Sequence, residues 1–301
     1  MPLMPLMPHR IAAISYLNSQ PLVDGLRERA AADAAAGRSC EFALTYDVPS
    51  RLADLLYEDR ADVALLPVIE FFRGTGAAMV PGMAIATRGP VDSVKLFTRV
   101  APAAIGRVLV DKGSRTSVAL LRILLAELHG VRPDFHAAEV RVGELLRDEE
   151  AALVIGDGCF EAERRFRAEA DDRVQIFDLG AAWAKLTGLP FVFATWVLGR
   201  GFDAAASPAD KASLVRLLTE SRDAGLARLD DLAERAAAAG QLGPGGEANA
   251  ATIRRYFRHS LLFTLGEKEL AGLLRFHELC VRHAICPPGR TPTLAAAVGS
   301  D

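Results

Sequence analysis

From residue 10 onward the chain alternates short apolar runs with segments whose apolar residues recur at helical spacing. That rhythm belongs to an α/β protein built on parallel strands. In the first third, the runs at 11–15, 41–46, 62–66, 83–87 and 94–98 predict strands. Segments 22–36 and 52–57 predict helices, the second opened by Ser50 as an N-cap. Gly89-Pro90 predicts a turn between two strands. The rhythm then restarts, with a strand at 107–111 and a strongly apolar helix at 116–129 that Gly130 can end. Further strands are expected at 153–155, 174–177 and 191–198. Beyond residue 200 only helices are expected, at 208–239, 247–259 and 266–283, with GQLGPGG at 240–246 as a loop between them.

One architecture fits this order. Residues 9–98 begin a first lobe, residues 99–197 form an inserted second lobe, and residues 198–301 return to complete the first with C-terminal helices. The two crossings, near 97–100 and 195–199, then form a hinge, and a ligand lies between the lobes at strand ends and helix N-termini. The pattern alone also permits a single doubly wound domain. With 301 residues the chain is long enough for either arrangement.

Charge narrows the partners. A formal net charge of -3 argues against strong attraction to nucleic acid or to an anionic membrane, without excluding a small positive pocket for an anionic metabolite. The opening MPLMPLMPHR is interrupted by prolines and lacks a small-residue cleavage site, so neither signal peptide nor transmembrane helix is read there, and the expected location is the cytoplasm. Cys40, Cys159, Cys280 and Cys286 are too few and too scattered for a disulfide scaffold. Cys280, His283 and Cys286 are spaced three apart and can share a helical face, but they lack a fourth partner, so no metal site is assigned. No obligate protein partner is evident.

The candidate chemistry lies at strand ends. Ser15-Tyr16-Leu17-Asn18-Ser19-Gln20-Pro21-Leu22 turns a strand into a helix, exposing amides and short polar side chains where open α/β folds bind ligands. The same residues also suit a plain capping turn. Ser114-Arg115-Thr116-Ser117 precedes the apolar helix; its hydroxyls and helix amides suit a carboxylate, while Ser114 can equally be a cap and Arg115 merely solvated. Ser93-Val94 opens a strand. In Gly156-Asp157-Gly158, a capping or hinge-orienting role for Asp157 is favoured over general-base work, because a carboxylate repels an anionic ligand. No dinucleotide fingerprint, phosphate loop or nucleophile elbow is present, so no cofactor is expected.

SYLNSQPL resembles the N-terminal signature of the menaquinone-biosynthesis family of chorismate dehydratases. Agreement continues in order through 61–70 (ADVALLPVIE), 90–97 (PVDSVKLF), 111–121 (DKGSRTSVALL), 153–158 (LVIGDG) and 178–194 (DLGAAWAKLTGLPFVFA), and more weakly through 256–276. The resemblance implies an α/β, two-lobed fold of periplasmic-binding-protein type II with a central ligand cleft. It also implies a cofactor-independent lyase acting on chorismate. Asn18 and Ser93 become the candidate catalytic residues. Ser15, Tyr16, Leu17, Val94, Ser114, Arg115, Thr116, Ser117, Gly156, Asp157, Gly188 and Pro190 become candidate substrate contacts, the last two as cleft wall. One departure is Pro67-Val68, where many members of the family carry serines before Ile69-Glu70.

Three alternatives share the fold: a solute-binding protein for a small carboxylate, a ligand-sensing module, and the related 1,4-dihydroxy-6-naphthoate synthase. The last resembles this chain less, since its first strand leads into a Cys-Pro-Asn-type turn and it relies on a second-lobe histidine. Here His129 falls at a helix end and His136 in a segment read as irregular, neither in a motif.

Overall fold

A computed structural model describes residues 8–147, 149–243 and 245–295. The first third of the chain runs β1 (His9–Ile14), α1 (Gln20–Ala35), β2 (Phe42–Asp47), α2 (Pro49–Tyr57), β3 (Val63–Pro67), α3 (Val68–Phe72), β4 (Met79–Thr87) and β5 (Val94–Thr98). It continues through β6 (Arg107–Asp111), α4 (Thr116–His129), β7 (Asp134–Ala138), β8 (Ala151–Ile155), α5 (Gly158–Glu169), β9 (Gln175–Asp178), α6 (Leu179–Thr187) and β10 (Phe191–Leu198). Helices then follow alone: α7 (Arg200–Ala205), α8 (Pro208–Leu226), α9 (Leu229–Ala238), α10 (Gly246–Arg255) and α11 (Glu267–Arg282), with a π-helical turn at Tyr256–Ser260.

The strands form two five-stranded sheets, ordered β2-β1-β3-β10-β4 and β7-β6-β8-β5-β9. The two orders are the same pattern. Each sheet has three parallel strands from one stretch of chain, then one antiparallel strand delivered from the other lobe. β3, β5 and β10 are buried along their whole length, which is why they read as unbroken apolar runs.

This topology corrects the expected lobe boundaries. Val94–Thr98, placed in the first lobe by the sequence, pairs with β8 and β9 of the second sheet. Phe191–Leu198, placed in the second, pairs with β3 and β4 of the first. The chain therefore crosses at residues 88–93 and 188–190 rather than at 97–100 and 195–199. An unbroken apolar run announces a central strand but carries no information about which sheet receives it. Smaller corrections have local causes. α2 starts at Pro49 after extended Val48, leaving Ser50 inside the helix. The long helix expected at 208–239 breaks at 227–228 into α8 and α9. β7 was not expected because its DFHAA sequence is mostly exposed. α4 ends as expected, on Gly130 in the left-handed conformation at φ 69°.

Two helix glycines let the crossings pack tightly. A Cβ on Gly180 of α6 would lie 2.4 Å from the Gly89 carbonyl oxygen in the first crossing. One on Gly272 of α11 would lie 1.9 Å from the Pro190 carbonyl oxygen in the second. That carbonyl also accepts the Trp183 indole N–H at 3.1 Å. Among the described residues no helix is long and apolar enough to cross a membrane. Because both obstacles are backbone atoms, Gly180→Ala and Gly272→Ala are each expected to destabilise the protein by about 1–3 kcal/mol or more. Urea denaturation checks this, and unchanged midpoints would contradict the packing.

Candidate functional site

A cleft that opens to solvent lies between the two sheets. The first lobe supplies Ile14, Tyr16, Asn18, Pro49, Pro67, Ile85, Phe193, Ala194 and Leu261. The second supplies Ser93, Val94, Gly113, Ser114, Arg115, Thr116, Ser117, Ile155 and Gly156, with Val91 from the first crossing. Mostly apolar walls thus surround a few polar side chains.

The turn after β1 sets two of these. Tyr16 is extended, Leu17–Ser19 make a short 3-10 turn, and Pro21 sits in the first turn of α1. The Ser19 hydroxyl donates to the Ile14 and Tyr16 carbonyls at 2.6 and 2.8 Å, closing the turn from inside. Leu17 is fully buried and anchors it, so Tyr16 and Asn18 on either side face the cleft. Asn18 caps nothing. Its Oδ1 is buried and accepts no hydrogen bond. Leaving such an atom unpaired costs about 1–3 kcal/mol, which a ligand donor would recover.

The start of α4 follows the same logic. Asp111 accepts from the Gly113 amide at 2.8 Å, and the Ser114 amide donates to the Asp111 carbonyl at 3.0 Å. Arg115 occupies the N-cap position, and no side chain caps the helix. The expected cap, Ser114, instead holds a buried hydroxyl without a partner. The positive end of the α4 dipole and an unclaimed hydroxyl therefore meet in the cleft. Thr116 Oγ1 lies 3.4 Å from the Ile69 amide of the first lobe, a long contact spanning the lobes. Arg115 is exposed at the rim.

On the second sheet, Ser93 is buried, and its carbonyl accepts the Gly156 amide at 2.8 Å. Gly156 has φ 65°, a left-handed conformation that favours glycine, and it lies against the Tyr16 ring. Asp157 stands at the N-cap position of α5 but makes no capping bond. Burial pushes the pKa of its carboxyl up to about 6, with the Leu17 amide of the other lobe pulling the opposite way. Burial also raises the Tyr16 phenol, with Asp111 and Asp157 adding to the rise.

Nine of the expected site residues therefore line one cleft: Tyr16, Asn18, Ser93, Val94, Ser114, Arg115, Thr116, Ser117 and Gly156. Five do not. Ser15 is exposed, Leu17 is core, and Asp157 is half-buried and not among the lining residues. Gly188 ends α6 at φ 70°, and the Pro190 carbonyl is taken by Trp183, so both are crossing residues and not cleft wall. The apolar wall residues Pro49, Ile85, Phe193 and Leu261 were not anticipated, since nothing in an apolar residue distinguishes cleft from core. His129 and His136 are both exposed and away from the cleft. His283 Nε2 lies 2.7 Å from Glu127 Oε1, and Cys280 and Cys286 are buried. Among the described residues no three His, Cys, Asp or Glu side chains gather as a metal site would require.

The raised Asp157 pKa has a stability consequence of definite sign. A carboxyl that binds its proton more tightly folded than unfolded stabilises the fold fully below its ordinary pKa, and this is lost as pH rises through about 6. At about 1.4 kcal/mol per pKa unit the loss reaches about 3 kcal/mol. Asp157→Asn is thus expected to melt higher than the parent at pH 8, with the gap closing below pH 4. Melting curves across that range check it, and parallel curves would contradict it.

Comparison with known proteins agrees with this geometry. A chorismate dehydratase from Thermus thermophilus is 33% identical over 204 residues, covering 64% of this chain and 72% of that protein. Among solved structures, protein AF1704 of Archaeoglobus fulgidus matches with a TM-score of 0.65 at 14% identity, covering 92% of this chain and 97% of its own. The periplasmic aliphatic sulphonate binding protein SsuA of Escherichia coli matches with a TM-score of 0.60 at 12% identity, covering 99% and 96%. At such identities these two speak for the fold alone, which is of the periplasmic-binding-protein kind. A family model described as menaquinone biosynthesis spans residues 9–282, nearly the whole described chain, and the protein belongs to that family.

Proposed function

We propose that the protein is a chorismate dehydratase, removing water from chorismate to give 3-[(1-carboxyvinyl)oxy]benzoate. The observation that carries this reading is the pair of buried, unpartnered polar groups, the Asn18 amide oxygen and the Ser114 hydroxyl, in the cleft of a chain from this family. An unpaired acceptor calls for a ligand that also donates, and chorismate brings a C4 hydroxyl beside its two carboxylates.

The chemistry follows from the substrate. Its C3 proton is vinylogous to the ring carboxylate, so removing it spreads charge through the diene onto that carboxylate. Ser114, Thr116, Ser117 and the amides opening α4 are suited to hold that charge. Asn18 holds the C4 hydroxyl. Among the described residues that line the cleft there is no histidine or carboxylate. The substrate's own enolpyruvyl carboxylate therefore takes the C3 proton. The C4–O bond then breaks, hydroxide leaves with a proton as water, and the ring becomes aromatic, which drives the reaction without redox chemistry. The apolar walls hold that carboxylate near C3 and keep bulk water out. We assign the activity to the cytoplasm, consistent with four free cysteines.

Incubating the pure protein with chorismate and following loss of 18 mass units on the aromatic product tests the reading. Binding of chorismate with its return unchanged would overturn it in favour of a solute-binding role. Because Asn18 caps nothing, Asn18→Ala and Asn18→Asp are expected to melt near the parent temperature while kcat/KM falls by about 100-fold or more. Asn18→Asp is the sharper case, since it sets a like charge against a dianion. Near-native turnover in either variant would remove Asn18 from the site.

A further inference from the structure

The Ser93 hydroxyl, on the cleft wall, has a partner outside it. The Tyr256 hydroxyl lies 2.7 Å from Ser93 Oγ, and both residues are buried to within 1%. Tyr256 belongs to the π-helical turn that follows α10, far from Ser93 in sequence. Its ring packs edge-on against Phe160 at 5.1 Å. One turn of chain later, Ser260 Oγ donates to Asp92 at 2.6 Å. The turn thus grips two successive residues of the first crossing, Asp92 and Ser93, through two hydroxyls.

The direction of the Tyr256–Ser93 bond can be deduced. A phenol has one hydrogen, and among the described residues Ser93 Oγ is its only partner. Were Ser93 the donor, the phenolic hydrogen would be buried without an acceptor, at a cost its surroundings do not offset. With Tyr256 as donor, the serine hydrogen is left over, and the cleft is where it can go. The Ser93 amide and carbonyl are already used, by the Val91 carbonyl and the Gly156 amide at 2.8 Å each. We infer that Tyr256 is a positioning residue, whose phenol fixes the Ser93 hydroxyl as a hydrogen-bond donor into the cleft, toward an oxygen of the anionic substrate. Burial holds the phenol well above its ordinary pKa, so it remains a donor throughout the working pH range. Two hydroxyls in series also polarise each other, making Ser93 a stronger donor than an isolated serine.

The kinetic arm of the test rests on the dehydratase reading; a second arm does not. In a double-mutant cycle on chorismate, Tyr256→Phe keeps the ring against Phe160 and is expected to lower kcat/KM roughly tenfold with little change in melting temperature. In the Ser93→Ala background the same substitution is expected to do nothing further. Equal effects in both backgrounds would make Tyr256 merely structural and overturn the inference. Independently of any substrate, the thiol introduced by Ser93→Cys takes the phenol's hydrogen bond as thiolate. Its pKa, read from the pH dependence of alkylation against the parent protein, is expected to rise when Tyr256→Phe is added. An unchanged pKa overturns the proposal. A parent protein that fails to turn over chorismate overturns the dehydratase reading, and the thiol titration still decides the role of Tyr256.

Discussion

One carboxylate secures the passage between the two sheets. Asp178 accepts the Val91 amide at 3.0 Å, the Asp92 amide at 2.8 Å and the Ala181 amide at 3.0 Å. A chain leaving one sheet for another gives up its ladder partners for several residues, and buried amides there need acceptors from elsewhere. Asp178 supplies them to the first crossing while capping α6, the helix that leads into the second. Both passages are thereby tied to the same point at the base of the cleft. Burial pushes the Asp178 pKa upward against the pull of the three amides, so the carboxylate is held at some cost. Asp92 is the other side of that cost. It takes φ 62°, a left-handed conformation unusual without glycine, and its carboxylate is gripped by Ser260 and lies 3.6 Å from Lys95 Nζ.

Among the described residues, buried polar atoms without a partner occur both on the cleft, at Asn18 Oδ1 and Ser114 Oγ, and away from it, at Asp24 Oδ1, Arg99 Nε, Trp196 Nε1 and His277 Nε2. Ser19 closes its turn with two hydrogen bonds, whereas its neighbour Asn18 has a buried oxygen with none. Asp111 satisfies the loop before α4, whereas Ser114 is left over. What sets Asn18 and Ser114 apart from the other four is that both line the cleft between the sheets. A larger void lies between α4 and the segment after α11, lined by Arg73, Arg122, Arg132 and His283. Its cations are mostly engaged already: Arg73 with Glu70, Arg122 over the Phe135 ring and His283 with Glu127.

The strands, the apolar helix α4 and the polar strand ends were legible in the sequence because each rests on local chemistry: an apolar run, a helical repeat with a glycine stop, a cluster of short polar residues. What was not legible depends on partners distant in sequence. The sheet that receives β5 or β10 is decided by strands far along the chain. The same limit applies to Ser114, which reads as a cap and becomes a cap only if its oxygen turns to the helix. It applies as well to Asp157, whose burial depends on residues of the other lobe, the Leu17 amide among its neighbours. Tyr256 lay within a stretch of weak resemblance, and its role depends on meeting Ser93, 163 positions earlier. The SYLN turn was the exception. Its geometry is local, and Tyr16 and Asn18 face the cleft as the motif suggested.

The groups facing the ligand are divided between two bodies. Tyr16 and Asn18 belong to the first sheet, while Ser114, Thr116 and Ser117 open a helix of the second. Ser93 stands where these bodies join, at the end of the first crossing. A contact beside the crossings is displaced least by any rotation of one lobe about them, whereas the opposed cleft walls move most. The Ser93 hydroxyl, bonded to Tyr256, and the Ser93 carbonyl, bonded to the Gly156 amide, therefore stand at the junction, while the other polar groups face one another from the two walls.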